Sequence, residues 1–296
     1  MIKHYAILLL VLSMLSCKSS SNNSEEKKEP TYSTTLKNPK LVKLWETDTI
    51  LNDLESVIYD AKNDIAYVSN IHGNWRKPNG KGFISKVNLD GEIINHKWIE
   101  NIEGPTGTVI CGGKLYVADF GTVLEININT SEITNKYEVE GIERINDLTV
   151  DENGVIYGSC TVEGKLFSLK NGEITFLKDD LEWPNGLLYD NGSILIGQGD
   201  KTVSRYNLKD KTTTVLATEI SNPDGLVAIG NGDYLMSSWE GLIHYVTKNG
   251  EKTLLLDTVE AGVNSADICY IPSKNILLVP AMLKHKLIAY SLEDEK

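Results

Sequence analysis

The sequence predicts an all-β fold, a six-bladed β-propeller with four-stranded blades. Segments of one phase recur at Glu55 (ESVIY), Thr106 (TGTVI), Asn146 (NDLTV), Asn185 (NGLLY), Asp224 (DGLVA) and Ala266 (ADICY), separated by 51, 40, 39, 39 and 42 residues. Propeller blades repeat every ~40 to 45 residues, each blade being one antiparallel sheet. Every repeat holds short runs of Val, Ile, Leu and Tyr bounded by Gly, Asn and Asp, which is strand and turn composition. The last repeat runs out after its third strand, whereas a spare strand-like stretch, LVKLWET from Leu41, precedes the first.

Taken in order, Lys3 is followed by the apolar residues 6–12 (AILLLVL) and then by Met14-Leu15-Ser16-Cys17. A charged start, a short apolar run and small residues before a cysteine make a lipoprotein signal peptide over 1–16 with Cys17 as the lipidated residue. The apolar run falls well short of the ~20 residues that span a bilayer. Residues 17–38 are rich in Ser, Asn, Lys and Glu, bury nothing, and are expected to form a disordered tether. The chain is therefore expected to be a monomeric bacterial lipoprotein, most simply of the outer membrane, facing the periplasm or the cell surface. Its membrane contact is through the lipid anchor only.

Residues 39–296 are left for the propeller. The fourth repeat shows the blade plan, with strands expected over 186–189, 193–197, 202–207 and 212–218. Second strands elsewhere read IAYVS, KLYVA, VIYGS, YLMSS and ILLVP; third strands read FISKV, TVLEI, KLFSL, LIHYV and KLIAY. The stretch from Leu41 is expected to pair as the fourth strand of the sixth blade, which closes the ring and removes exposed sheet edges.

The net charge is −12, with acidic residues scattered along the chain and no basic stripe, which excludes nucleic acid as a partner. Cys111, Cys160 and Cys269 are widely spaced without a C-x-x-C element, so they are expected to be small buried apolar residues rather than bridges or metal ligands. His72, His96, His244 and His285 are expected on the surface or in loops.

First strands of a propeller line its central channel, so one phase of the repeat converges on the axis. The residues at that phase are Glu55, Thr106, Asn146, Asn185, Asp224 and Ala266. Two carboxylates and two amide oxygens make an all-oxygen set of the kind that a hard divalent cation takes. Taken singly, Trp183-Pro184-Asn185-Gly186 and Asn222-Pro223-Asp224-Gly225 also read as turns. Together at one phase they would repel, or go unpaired, unless a cation lay between them.

These residues resemble the gluconolactonase/regucalcin group of calcium-dependent six-bladed propellers. The matching pieces are Leu54-Glu55-Ser56, Arg144-Ile145-Asn146-Asp147 against R-x-N-D, Pro184-Asn185-Gly186, and Pro223-Asp224-Gly225. The resemblance spans residues 41 to 292 or so. It implies metal ligation by Glu55, Asn185 and Asp224, with Asn146 a fourth ligand or a substrate contact. It implies that Arg144 touches substrate and that Asp224 is also the catalytic base, or orients the attacking water. The implied cofactor is one divalent cation, calcium first, with zinc, manganese and magnesium as alternatives. The implied reaction is hydrolysis of a lactone or related cyclic ester, sugar lactones included. The chain departs from the group where ENGVIYGSC follows Asn146 and where Gly197-Gln198-Gly199 replaces an aspartate, so the substrate stays open.

Loops joining second to third strands should surround the axial site. The long one, residues 71–82 (IHGNWRKPNGKG), is expected either to form a lid placing His72, Trp75 or Arg76 over the pocket or to be a solvated hairpin. Asp119, Cys160, Gln198 and Trp239 end equivalent strands and are candidate wall residues, with Trp75, Asp119 and Trp239 as substrate contacts. The competing functional class is a non-enzymatic propeller that binds a carbohydrate, peptide or protein beside a structural cation. A carbon–carbon bond-forming propeller of the strictosidine synthase type would need a substrate-binding acid that the sequence does not place.

Overall fold

The computed structural model describes residues 35–295. The signal peptide, Cys17 and residues up to 34 lie outside the described residues. Six four-stranded antiparallel sheets succeed one another along the chain. Their first, innermost strands are Leu54–Asp60, Pro105–Cys111, Ile145–Val150, Leu187–Asp190, Pro223–Ala228 and Cys269–Ile271. The fourth blade uses 187–190, 193–197, 203–207 and 213–217, within a residue of expectation at nearly every boundary.

The ring closes as the spare strands require. Pro39–Glu46 pairs antiparallel with the final strand, Lys286–Asp294, from Pro39 opposite Asp294 to Glu46 opposite Ile288. On the inside, Ser56 of the first blade forms a parallel bridge with Asp267 of the sixth. Residues 36–38, counted with the tether on composition, are held by the propeller. The amides of Lys37 and Asn38 donate to Asp294 Oδ1 at 3.0 and 2.6 Å, and the buried Leu36 donates its amide to the Tyr245 hydroxyl.

Apolar side chains fill the wedges between neighbouring blades. Val109, Ala118 and Val123 of the second blade, for example, pack on Ile145, Leu148 and Phe167 of the third. Cys160 and Cys269 are buried free thiols in such clusters, as expected, and Cys111 is half-buried. His72 is exposed and His96 and His285 are half-buried, but His244 departs from expectation. It sits buried inside the strand Leu242–Val246, where burial holds its imidazole below the ordinary value.

One irregularity recurs at the inner end of the blades. The register between first and second strands shifts between Leu54 and Val57, Pro105 and Thr108, Ile145 and Leu148, and Pro223 and Leu226. Bulges of this sort leave backbone groups outside the ladder and re-aim side chains. Second-strand serines collect the loose ends. The Asp147 amide donates to Ser159 Oγ (3.1 Å), which donates to the Asn185 carbonyl of the next blade (2.7 Å). The Gly225 amide donates to Ser237 Oγ (2.8 Å), which donates to the Ala266 carbonyl (2.8 Å). Each hydroxyl thus ties a bulge to the neighbouring blade. Ser237→Ala strands two buried backbone groups at once and is expected to cost about 1 to 3 kcal/mol, read as a lower denaturant midpoint. An unchanged midpoint would refute the tie.

Candidate active site

The four bulges carry Glu55, Thr106, Asn146 and Asp224, so the chain leaves its regular ladder where the axial residues project. Asn185 lies just before its strand, anchored by its amide to the Gly197 carbonyl at 2.9 Å. Turn chemistry is present but displaced. Positive φ falls on Trp183 (48°) and Asn222 (35°), before each proline, whereas Gly186 and Gly225 have no positive φ. Those glycines serve close approach. A Cβ at Gly186 would overlap the Asp224 carbonyl oxygen, and one at Gly225 the Ile268 amide. The inner strands pack backbone to backbone around the axis, and this brings the neighbouring side chains together.

A pocket of about 470 Å³ opens over them, lined by Glu55, Arg144, Asn146, Asn185 and Asp224. Glu55 Oε2, Asn185 Oδ1 and Asp224 Oδ1 are buried acceptors without a hydrogen-bond partner. Native structures rarely leave such atoms unpaired, so three on one pocket call for a donor or a cation. Thr106 does not share this state: its hydroxyl donates to the Ile145 carbonyl at 3.0 Å. Among the described residues no group of three or more His, Cys, Asp or Glu side chains is placed to hold a metal ion. The set that fits one is mixed, two carboxylates with amide oxygens, a donor chemistry that calcium accepts.

Below this layer sits a second pair of acids that phase counting passed over. Asp267 Oδ2 accepts from Ser56 Oγ at 2.6 Å, and Asp147 accepts from the amides of Leu148 (2.7 Å) and Leu187 (2.6 Å). Burial, then neighbouring acids, raise Glu55, Asp147 and Asp224 well above the carboxylate range. Burial pushes Asp267 up to about 7, against the Ser56 hydrogen bond. A carboxyl raised in the folded state adds stability below its unfolded pKa and loses it as pH rises through its folded value. For Asp267 that window runs from 3.8 to about 7. In chelator the melting temperature is therefore expected to fall between about pH 4 and pH 7. Calcium should remove most of that fall, and a flat profile in chelator would contradict the arrangement.

Arg144 is the cationic side chain lining this pocket among the described residues. Its guanidinium is buried between the rings of Trp75 (5.3 Å) and Phe120 (5.0 Å), and Nη1 donates to the Trp75 carbonyl. Burial lowers its pKa while Glu55 and Asp119 oppose that shift, and it stays charged at neutral pH.

The 71–82 loop does reach the pocket: Ile71, Gly73 and Trp75 line it. His72 instead meets Asn52 Nδ2 at 3.0 Å, and Arg76 stacks on the Trp75 ring at 4.5 Å. Trp239 and Gln198 are wall residues as expected. Asp119 and Cys160 are not among the lining residues. Asp119 is buried and accepts the amides of Glu103 (3.1 Å) and Gly104 (2.6 Å), so it holds a loop, and Cys160 lies in an inter-blade core. Trp183, which the sequence offered only as a turn residue, lines the mouth.

No family model matches the chain, and no curated protein matches it. Solved structures do. A catalytically inactive histidine-to-alanine variant of virginiamycin B lyase from Staphylococcus aureus, with quinupristin, is 13% identical with a TM-score of 0.60, covering 86% of this chain and 99% of that one. The selenomethionine form of virginiamycin B lyase from the same organism is 14% identical with a TM-score of 0.61, covering 86% and 100%. A streptogramin B lyase structure is 11% identical with a TM-score of 0.63, covering 86% and 97%. These likenesses show the propeller fold, and the resemblance to the gluconolactonase group rests on the residues.

Proposed function

We propose that the chain is a divalent-cation-dependent hydrolase of lactones or related cyclic esters, with its active site at the propeller axis. The observation that carries this is the convergence of three unpartnered buried oxygens, on Glu55, Asn185 and Asp224, in a pocket beside one arginine. Those three residues would hold the cation, calcium first, with Asn146 as a fourth ligand or a substrate contact. Bound there, the cation would supply Lewis-acid polarisation of an ester carbonyl.

The chain's own groups do the rest. Arg144, fixed by Trp75 and Phe120, binds the substrate's acyl oxygen. Asp224 orients a water and takes its proton as the water oxygen bonds to the carbonyl carbon. The ring C–O bond then breaks, the departing alkoxide takes the proton back from Asp224, and a hydroxy acid leaves. The neighbouring lyases are enzymes built on this fold, which supports an enzymatic reading. Their reaction is not carried over: an inactivating histidine substitution is named for one of them, and no histidine among the described residues lines this pocket.

Orientation follows from the ring closure. The turn Met282–Lys284 borders the pocket and leads into Lys286, whereas Pro39 pairs with Asp294 at the far end of that strand. The chain therefore enters the propeller on the face away from the pocket. With Cys17 lipidated, the tether would join the propeller on the face away from the pocket and leave the pocket mouth clear of it.

Calorimetric titration of the full chain with calcium, followed by a proton-release assay on a panel of lactones, tests the proposal. Binding of one calcium per chain together with lactone opening that chelator abolishes is the expected result. Absence of binding of calcium, zinc, manganese and magnesium would overturn it. Cation binding without turnover on any lactone would leave a propeller with a structural ion.

A further inference from the structure

Resting on that reading, we infer that the substrate carries an alkyl or aryl group on its ester ring, and that Trp183 and Trp239 select it. Above the polar floor the pocket changes character. Trp75, Trp183 and Trp239 come from three different blades and all line the pocket, as does Leu283 of the sixth blade. These residues are 38%, 45% and 40% exposed. Scattered exposed apolar residues are ordinary, but a cluster rimming one cavity marks a binding surface.

Trp183 adds an independent sign. It holds a φ of 48°, a left-handed conformation that costs a bulky side chain about 1 kcal/mol or more. Gly199 makes room for it, since a Cβ there would come within 2.9 Å of the Trp183 Cβ. The backbone thus holds a strained geometry that leaves a large indole facing solvent at the pocket's edge.

A polyhydroxylated ring would need polar partners along the wall as well as a stacking face, and two of the wall's amide side chains, Gln198 and Asn222, are already committed. Gln198 donates to Ser204 Oγ at 3.1 Å and accepts the Glu182 amide at 3.2 Å. Asn222 Nδ2 donates to Glu240 Oε1. What the wall offers is apolar surface. An ester group seated on the floor would point its ring substituent between the indoles of Trp183 and Trp239.

The test uses two probes on the full chain with calcium: a six-membered lactone bearing a linear alkyl tail, and glucono-1,5-lactone. Indole fluorescence quenching and proton release are read for each. The alkyl lactone is expected to bind and to reach half-maximal rate at a concentration about tenfold or more lower. Trp183→Ala and Trp239→Ala should each erase most of that preference, with calcium affinity and melting temperature unchanged and Trp183→Phe restoring part of it. Equal handling of both lactones, or intact preference in both alanine variants, would overturn the inference while leaving the hydrolase standing. Quenching by the alkyl lactone without hydrolysis of either probe would sink the hydrolase and keep the apolar ligand class.

Discussion

Asp224→Asn is expected to lower kcat for lactone opening by about a thousandfold, the usual scale for loss of a positioned base. The amide keeps the volume of the carboxylate and cannot take a proton. The variant should also bind calcium more weakly, because one of two charged donors becomes neutral. Its stability should move in an unusual direction. Asp224 is buried against Asp267 and Glu240, which raise its pKa after burial itself, so ionising it costs folding energy when no cation is bound. In chelator near pH 8 the variant should therefore melt no lower than the parent, while its gain from calcium shrinks. A ligand with a merely architectural role would lose stability in both conditions. Turnover and calcium stabilisation both left intact would remove Asp224 from the site.

Gly186→Ala is expected to have the largest effect on folding, a loss of about 4 kcal/mol or more, or no soluble protein. The added methyl would overlap the Asp224 carbonyl oxygen, which is backbone and cannot swing aside as a side chain would. Any variant that folds must part the inner strands of the fourth and fifth blades. Asn185 directly precedes one of those strands and Asp224 lies in the other, so calcium affinity should fall with stability. Gly192→Ala is the control for general glycine loss: it has a φ of 78° and nothing within 4 Å of its Cβ, so only local backbone strain is added. Melting curves with and without calcium separate the two. Equal losses in both variants would show that close approach at the axis is not what Gly186 provides.

Much of the site was legible because a propeller turns sequence phase into spatial adjacency. Glu55, Asn146, Asn185 and Asp224 were found by counting, and all four line the pocket. Counting also misled. Thr106 has the phase but spends its hydroxyl on Ile145, and Asp119 ends the right strand yet is consumed by two loop amides. Asp147 and Asp267 were passed over because each sits one residue beyond the counted phase; a bulge turns Asp147 inward, and Asp267 is drawn in by its bridge to Ser56. Trp183 escaped notice because Trp-Pro-Asn-Gly reads as a turn; the turn is real, and it presents the indole to the mouth.

By itself the sequence determined the number of blades, the strand that closes the ring and the identity of the residues brought to the axis. These depend on composition and spacing, which are local properties repeated along the chain. Only the tertiary structure decided which axial oxygens are free to hold a ligand. Whether a buried acceptor is satisfied depends on donors far away in sequence: Asp267 finds Ser56 across 211 positions, and Asp147 finds the Leu187 amide across 40. Glu55 Oε2, Asn185 Oδ1 and Asp224 Oδ1 meet no such donor, and packing, not phase, makes that distinction.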